Sequence, residues 1–271
     1  MGYGLDEKGL KMSKSKGNAL DPLPIIEKFG ADTFRFWSAS EVNHGSDFRC
    51  SEQKIESTKK FLTKLWNVSR FLSSFPIVET VETTEMTDHW IIAELDKLVK
   101  DCKVGFDEYN FFIPATAIRE FTWNIFADQY IEMVKARAYG IGFSDIERDS
   151  AIYTLHKVLS TLLKLLAPIT PFITDFLWRT LYSDKSIHTE QLEQLYKVDS
   201  GLDYDDPEKP IEETIGDFLG EYYMLISEFN AEVWNAKKEK GLHLPDSIKI
   251  EVPEELEIFK KDLVAMHHLE I

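Results

Sequence analysis

The 271-residue chain has few of the features that mark secreted, zinc-binding or membrane proteins. Its two cysteines, Cys50 and Cys102, lie far apart without a C-x-x-C pair, which argues against a structural disulfide or a cysteine zinc site. Its seven histidines show no metal-ligand spacing. No stretch approaches the roughly 18 apolar residues of a membrane helix, and no signal-peptide pattern opens the sequence. We therefore expect a cytoplasmic protein without a metal site.

Positive charge is also scarce. The chain has 31 Lys and Arg against 47 Asp and Glu, for a formal net charge of −16, and 44% hydrophobic residues, enough for one large or two modest domains. Residues 1–75 contain twelve basic and nine acidic residues, whereas residues 186–235 contain two lysines and thirteen carboxylates. This asymmetry fits an N-terminal third that faces RNA, and it fits equally well an acidic region that only aids solubility.

A short polar stretch near the start of the chain carries the clearest chemical signal. Residues 11–18, here called the lysine loop, read Lys-Met-Ser-Lys-Ser-Lys-Gly-Asn and contain no hydrophobic run. Lys11 and Lys14 can neutralise the charge of a phosphate chain, and the serine hydroxyls can donate hydrogen bonds to the same oxygens. From composition alone, a solvated turn is the simpler interpretation.

The sequence around this loop resembles the nucleotide-binding signature of class I aminoacyl-tRNA synthetases. The string KMSKS at 11–15 is followed by Gly-Asn at 17–18, by Asp-Pro at 21–22 and by G-A-D-x-x-R at 30–35. The resemblance implies that the loop binds ATP with Mg²⁺ and supports amino-acid adenylation. It assigns ATP binding to Lys11, Met12, Ser13, Lys14 and Ser15, and catalysis to Lys14 and Lys11.

Two further strings are similar to the valyl branch of that family. Residues 64–71 read K-L-W-N-V-S-R-F, at the expected distance after Gly-Ser-Asp at 45–47, and residues 121–135 read F-T-W-N-I-F-A-D-Q-Y-I-E-M-V-K. The resemblance implies a ligase that adenylates valine and transfers it to tRNA(Val), in which this chain binds the anticodon arm. An isoleucyl or leucyl relative, or a non-catalytic helical interaction module, remains the alternative.

The valyl resemblance also implies tRNA contacts. It places anticodon contacts at Arg49 and Phe71, which makes physical sense because aromatic faces stack on unpaired bases and guanidinium groups contact their edges. Arg70 and Lys54 are weaker candidates. The alternative is that Phe71 packs in the core and Arg49 pairs with a carboxylate.

Two sets of charged residues on later helices have open interpretations. Asp128 and Glu132 lie one helical turn apart, as in an acid–base pair or a metal site, but no further ligand converges on them. An ion-paired helix face that includes Lys135 is therefore the preferred interpretation. The lysines at 237, 238 and 240 either complement a helix dipole or touch RNA phosphates.

Hydrophobic periodicity predicts a mainly α fold. Asp21 and Ser51 are predicted to cap helices, Thr87-Asp88 to cap the next, and residues 105–110 to break it. Long helices are predicted over 111–138 and 211–240, with Trp66, Phe172 and Phe176 among the buried positions, and alternation predicts a strand at 248–252.

The expected organisation has three parts. Residues 1–45 would form the KMSKS loop and the stem-contact part of the class I catalytic domain, residues 46–240 an anticodon-binding helical bundle, and residues 241–271 a small α/β tail. The H-x-G-H-type motif of class I synthetases is absent. We therefore expect the chain to be the C-terminal part of a longer enzyme and to be inactive alone.

Overall fold

The computed structural model describes residues 2–81, 85–190 and 222–270, and these are mainly α-helical, as predicted. Strands β1 (Gly4–Leu5) and β2 (Phe48–Arg49) pair in parallel. No helix within these ranges is long and apolar enough to cross a membrane. The elements are β1 (Gly4–Leu5), α1 (Pro22–Phe29), α2 (Ala31–Glu41), β2 (Phe48–Arg49), α3 (Glu52–Leu72), α4 (Met86–Asp107), α5 (Phe112–Glu120), a π-helical segment (Phe121–Tyr130), α6 (Ile131–Ala138), α7 (Asp145–Leu166), α8 (Pro171–Leu181), α9 (Tyr222–Glu239) and α10 (Lys260–His267).

Two of the three predicted helix caps are confirmed. The Asp21 carboxylate accepts a hydrogen bond from the backbone N–H of Leu23 at 3.1 Å, with Pro22 at the first helical position of α1. The Ser51 hydroxyl accepts from the backbone N–H of Lys54 at 3.2 Å at the start of α3. Each cap satisfies a backbone donor that the first helical turn leaves unpaired, which is why short polar residues hold these positions.

The described residues fall into two compact units. The first comprises the described parts of 1–73, 98–123 and 159–197, and the second those of 74–97, 124–158 and 198–271. In the first unit, β2, α1, α2 and α3 enclose a core that carries the lysine loop. Its members are Ile25, Phe29, Trp37, Cys50 and Ile55, with Met12, Leu20, Phe34 and Phe48 packed against them.

A buried charged cluster lies at the centre of the second unit. The Arg137 guanidinium is fully buried and donates to both carboxylate oxygens of Asp88, at 2.8 and 2.7 Å, and to Asp262 at 3.1 Å. The hydroxyls of Tyr130 and Ser150 also donate to Asp88. Burial raises the pKa of Asp262 to about 6, although the Arg137 charge opposes this. The cluster joins α4, α6, α7 and α10.

A second polar cluster in the same unit joins α9 to α10. The His267 ring nitrogen Nε2 lies 2.6 Å from Asn230 Oδ1, and the Asn230 amide donates to Gln129 at 2.5 Å. The buried Lys237 ammonium donates to the carbonyls of Leu244 and His267, at 2.5 and 2.8 Å. Lys237 therefore satisfies one carbonyl group at the end of α10 and one in the segment that follows α9, and its burial excludes the RNA contact considered for it.

Three aromatic residues predicted to be buried are instead exposed. Trp66 is 42%, Phe172 68% and Phe176 55% accessible to solvent. The rings of Trp66 and Phe176 stack on each other with centroids 5.6 Å apart. Each ring thus covers part of the other at the surface, so the prediction of burial was wrong for these positions.

Helix α4 ends within the predicted break at residues 105–110, although Gly105 itself is still helical. The helix runs to Asp107, and the chain turns at Tyr109, which has a φ of 55°. A Cβ atom on Gly105 would lie 2.5 Å from Cδ of Pro114. This glycine therefore permits a close approach between two helices rather than terminating one.

Three further features of the secondary structure differ from the predictions. Helix α4 begins at Met86, one residue before the predicted cap at Thr87-Asp88, and the Asp88 carboxylate in its first turn accepts a hydrogen bond from the backbone N–H of Glu85 at 3.3 Å. The predicted helix over 111–138 is continuous but contains the ten-residue π-helical segment, which sequence periodicity did not predict. The predicted strand at 248–252 is limited to a bridge between Ile248 and Leu269. The predicted helical stretch 211–221 lies outside the described residues.

Candidate nucleotide-binding loop and RNA-binding face

The lysine loop is closed by the side chain of its last residue. Asn18 Oδ1 accepts a hydrogen bond from the backbone N–H of Ser13 at 2.9 Å, and Asn18 Nδ2 donates to the Asp6 carboxylate at 2.9 Å. That carboxylate also accepts from the backbone N–H groups of Leu10 and Lys8, at 2.8 and 3.0 Å. The bond from Asn18, followed by the one from Leu10, lowers the pKa of Asp6. The loop is therefore tied to the turn that precedes it.

The tip of the loop is a single 3₁₀ turn, Lys14–Lys16, that ends at Gly17. Gly17 adopts a left-handed φ of 69°, which glycine permits without strain. The side chains of Lys14 and Lys16 are exposed, and no described carboxylate pairs with either ammonium group. Their positive charge is therefore not neutralised within the described part of the chain.

The first lysine of the loop is held by an aromatic ring. The Lys11 ammonium lies 3.6 Å from the centroid of the Tyr3 ring, a cation–π contact that leaves its charge intact. The hydroxyls of Ser13 and Ser15 lie 3.2 Å apart. Three ammonium groups and two hydroxyls thus occupy one short loop, and they are the donor types that bind phosphate oxygens.

Met12 anchors the loop between its two lysines. Its side chain packs against the apolar core of the first unit. A Cβ atom on Gly4 would lie 2.7 Å from the Met12 methyl carbon, so a larger residue on strand β1 at this position would displace the end of this side chain.

Arg49 lies near the base of the loop. It is exposed on β2, and its guanidinium Nη2 would lie 3.2 Å from a Cβ atom on Gly9. Among the described residues no carboxylate pairs with Arg49, so the ion pair considered as its alternative role is not observed. The guanidinium is therefore accessible.

The structure does not bring Arg49 and Phe71 together. Arg49 precedes α3 and Phe71 lies in its last turn, and a helix of 21 residues spans about 30 Å. Phe71 is half-buried and Arg70 is exposed beside it. Lys54 pairs with Glu41 at 2.5 Å. The four predicted tRNA contacts therefore occupy both ends of one helix.

The carboxylates on the later helix form no metal site. Lys135 donates to both carboxylate oxygens of Glu132, at 2.9 and 3.1 Å, which confirms the predicted ion-paired face. Within the ranges that the structure describes, no three His, Cys, Asp or Glu side chains are grouped to hold a metal ion.

Sequence analysis missed the two residues that close the lysine loop. Asn18 was used only as part of the KMSKS pattern, and Asp6 was not singled out. A signal was present, because a carboxylate that begins a tight turn is typical of backbone capping. Sequence analysis also did not single out Lys59, Lys60 and Lys64, which line one groove beside α3.

Two protein-family profiles match the chain. The profile described as "Anticodon-binding domain of tRNA ligase" matches residues 88–252. The profile described as "tRNA synthetases class I (I, L, M and V)" matches residues 1–51, which include the lysine loop.

Curated relatives resemble nearly the whole chain. The valine–tRNA ligase of Pyrobaculum aerophilum is 41% identical over 98% of the chain and 32% of its own length. The enzymes of Nanoarchaeum equitans and Aeropyrum pernix are each 38% identical, over 99% and 98% of the chain and 32% and 31% of their own lengths. The chain thus spans about a third of the length of these relatives.

Solved structures share the fold at lower identity. A LeuRS–tRNA–LeuAMS ternary complex from Agrobacterium radiobacter K84 matches with a TM-score of 0.55 and 22% identity, over 70% of this chain and 22% of that one. Mycobacterium tuberculosis methionyl-tRNA synthetase with methionyl-adenylate matches with a TM-score of 0.52 and 21% identity, over 65% of this chain and 36% of that one. Because the first profile matches more than half of its residues, the chain belongs to the tRNA ligases that carry the anticodon-binding domain.

Proposed function

We propose that this chain is part of a valine–tRNA ligase, an enzyme that adenylates valine with ATP and transfers it to tRNA(Val). The chain binds the anticodon arm of the tRNA and supplies the lysine loop to the ATP site. Similarity to valine–tRNA ligases over nearly the whole chain supports this proposal. Residues 1–45 belong to the catalytic domain, residues 46–240 to the anticodon-binding bundle and residues 241–271 to the tail.

The observation that carries the ATP assignment is the unpaired charge of the lysine loop. The chain has a net charge of −16, yet neither Lys11 nor Lys14 pairs with a carboxylate among the described residues. The Lys11 ammonium group instead lies over the Tyr3 ring. We infer that Lys11 and Lys14 contact the phosphates of ATP, which brings Mg²⁺ with it, and that Lys14 stabilises the charge that develops during adenylation. Met12, Ser13 and Ser15 complete the nucleotide contacts.

The geometry of α3 divides the proposed RNA contacts into two groups. Because Arg49 and Phe71 are separated by about the length of α3, they contact different nucleotides. The Phe71 ring stacks on an unpaired anticodon base, and the positively charged Arg70 guanidinium contacts the same region of the RNA. Arg49 and Lys54 act at the opposite end of the helix, and Lys54 exchanges Glu41 for RNA.

The test is binding of this chain to an isolated valine anticodon stem-loop at low salt. Matched hairpins carry a changed middle base or the isoleucine anticodon. We expect tighter binding to the valine hairpin. Preference for the isoleucine hairpin would contradict the valine assignment, and weak binding that does not distinguish any hairpin would favour a helical interaction module.

A further inference from the structure

A groove on the first unit is built around α3 and has no role in the contacts proposed above. Its volume is about 430 Å³, and we call it the lysine groove. Its lining residues are Glu56, Lys59, Lys60, Thr63, Lys64, Asn67 and Trp123.

The groove follows one face of α3. Lys60, Thr63 and Asn67 are separated by three and then four positions, the spacing that aligns side chains along a helix. The same spacing continues to Arg70 and Phe71. Eleven residues separate Lys60 from Phe71, which corresponds to about 17 Å along the helix axis. The groove thus leads along α3 to the residues proposed to contact the anticodon.

Two lysines of the groove carry uncompensated charge. Lys59 and Lys60 are exposed, and neither ammonium group pairs with a carboxylate in the part of the chain that the structure describes. Other lysines of the same unit are paired, as in Lys28 with Glu52 at 2.7 Å. Although the chain contains more carboxylates than basic groups, none of the described carboxylates pairs with Lys59 or Lys60. The positive charge of the groove is therefore available to an anion.

The remaining wall of the groove adds a third cation and two neutral polar groups. The Lys64 ammonium lies 5.5 Å from the centroid of the Trp123 ring, a contact that keeps its charge beside the groove. Asn67 provides an amide donor, whereas the Thr63 hydroxyl donates to the Lys59 carbonyl at 3.0 Å and offers its oxygen as an acceptor. The one carboxylate, Glu56, interacts with Lys28, whose pKa is raised first by the bond to Glu52 and also by the Glu56 charge.

We propose that the lysine groove binds the phosphate backbone of the tRNA anticodon arm. This inference rests on the proposed function and names a surface for it. Lys59 and Lys60 contact phosphates, Asn67 donates to a phosphate or ribose oxygen, the Thr63 hydroxyl oxygen accepts from a ribose hydroxyl, and Trp123 with Lys64 forms the far wall. Such contacts position the RNA without reading its sequence, whereas Phe71 at the end of the same face contacts a base.

The test combines Lys59→Ala with Lys60→Ala and measures hairpin binding against salt concentration, with both the valine hairpin and the hairpin with a changed middle base. Removing two phosphate contacts should lower the slope of log K against log salt by about 1.4 to 1.8. Affinity at about 50 mM salt should fall at least on the order of tenfold, and equally for both hairpins.

Two controls isolate the position of the charge. Lys103→Ala with Arg179→Ala removes the same charge from two ion-paired residues of the same unit and should leave the slope within about 0.3 of the unmutated chain. Lys59→Arg with Lys60→Arg keeps the charge and should keep the slope.

The outcomes separate this inference from the proposed function. An unchanged slope in the alanine variant, or a loss confined to the valine hairpin, would overturn the groove assignment alone. Equal binding of both hairpins by the unmutated chain would contradict anticodon readout but not the groove. Failure of the unmutated chain to bind either hairpin would overturn both.

Discussion

The side-chain amide of Asn18 donates a 2.9 Å hydrogen bond to the carboxylate of Asp6, twelve positions earlier in the chain. The same carboxylate caps the turn that follows it, and the same asparagine accepts a bond from Ser13. One pair of side chains therefore fixes both ends of the lysine loop. This arrangement positions the two lysines proposed to contact ATP without using either of them as a structural group.

Asn18→Ala should slow ATP–pyrophosphate exchange in the full-length enzyme by about ten- to hundredfold, because the loop loses its closure and its lysines lose their alignment. Asn18→Asp keeps the acceptor for Ser13 but places a charge beside Asp6, so it should be equally impaired. Hairpin binding should be unchanged in both variants. Normal exchange in the alanine variant would show that the closure does not matter for catalysis.

Lys14→Ala should reduce ATP–pyrophosphate exchange by about 100- to 1,000-fold, the cost of losing one group that stabilises transition-state charge. Lys16→Ala, in the same 3₁₀ turn, is the matched control and should have a smaller effect. The measurement is steady-state exchange with the full-length enzyme. Equal rates for the Lys14 variant and the unmutated enzyme would refute the assigned role.

Phe71→Ala should weaken binding of the valine hairpin by on the order of 1 to 3 kcal/mol, since stacking of one base on an aromatic ring contributes that amount. Tyr109→Ala removes a ring that is 78% exposed in the same unit and should have no effect. Binding is measured by titration of the hairpin, with circular dichroism to confirm folding. Unchanged affinity in a folded Phe71 variant would exclude stacking there.

Arg137→Ala should lower the free energy of unfolding by about 3 to 5 kcal/mol, because it leaves Asp88 and Asp262 buried without their cation. Lys135→Ala, two residues earlier in α6, removes an exposed lysine paired with Glu132 and should cost less than about 1 kcal/mol. Urea denaturation compares the two. Similar losses for both variants would show that the buried cluster does not stabilise the second unit.

His267 should make stability depend on pH. Burial, followed by the charges of Lys237 and His268, lowers the pKa of His267 from 6.5 to about 4. The unfolded chain therefore binds more protons between these values, and the stabilisation present above pH 6.5 is lost as pH falls toward about 4. By about pH 5 the loss should reach about 2 kcal/mol.

The measurement is urea denaturation of the unmutated chain and of His267→Gln at about pH 7.5 and pH 5. Glutamine can still donate to Asn230 but does not titrate. The raised pKa of Asp262 changes stability in the opposite direction over part of this range, and comparison with the variant removes that contribution. A difference between the two proteins that does not change with pH would contradict the assignment.

Sequence analysis succeeded where the determining interaction is local. The caps at Asp21 and Ser51 each involve a backbone group two or three positions away, so the sequence contains all that is needed to predict them. The Arg137 cluster joins side chains 49 and 125 positions apart, and no local pattern indicates such a pairing.

The candidate site divides in the same way. The lysine loop was identified because its residues are contiguous, whereas the lysine groove requires Trp123 to approach α3. Lys54 and Lys60 are the same residue type on one helix, yet only the first has a tertiary carboxylate partner among the described residues. Which lysine is available for RNA is therefore decided by tertiary structure.

The packing of Met12 couples movement of the lysine loop to the exposure of apolar surface to water. Met12 stands between Lys11 and Lys14, and its side chain packs against the core of the first unit. Lifting both lysines together toward a nucleotide would pull this side chain out and expose apolar surface, at a cost of about 0.8 kcal/mol for each methylene-sized group. The hydrophobic effect thus opposes displacement of the loop, so a nucleotide that binds the displaced loop must offset this free energy, and the loop returns to the packed position when the nucleotide dissociates.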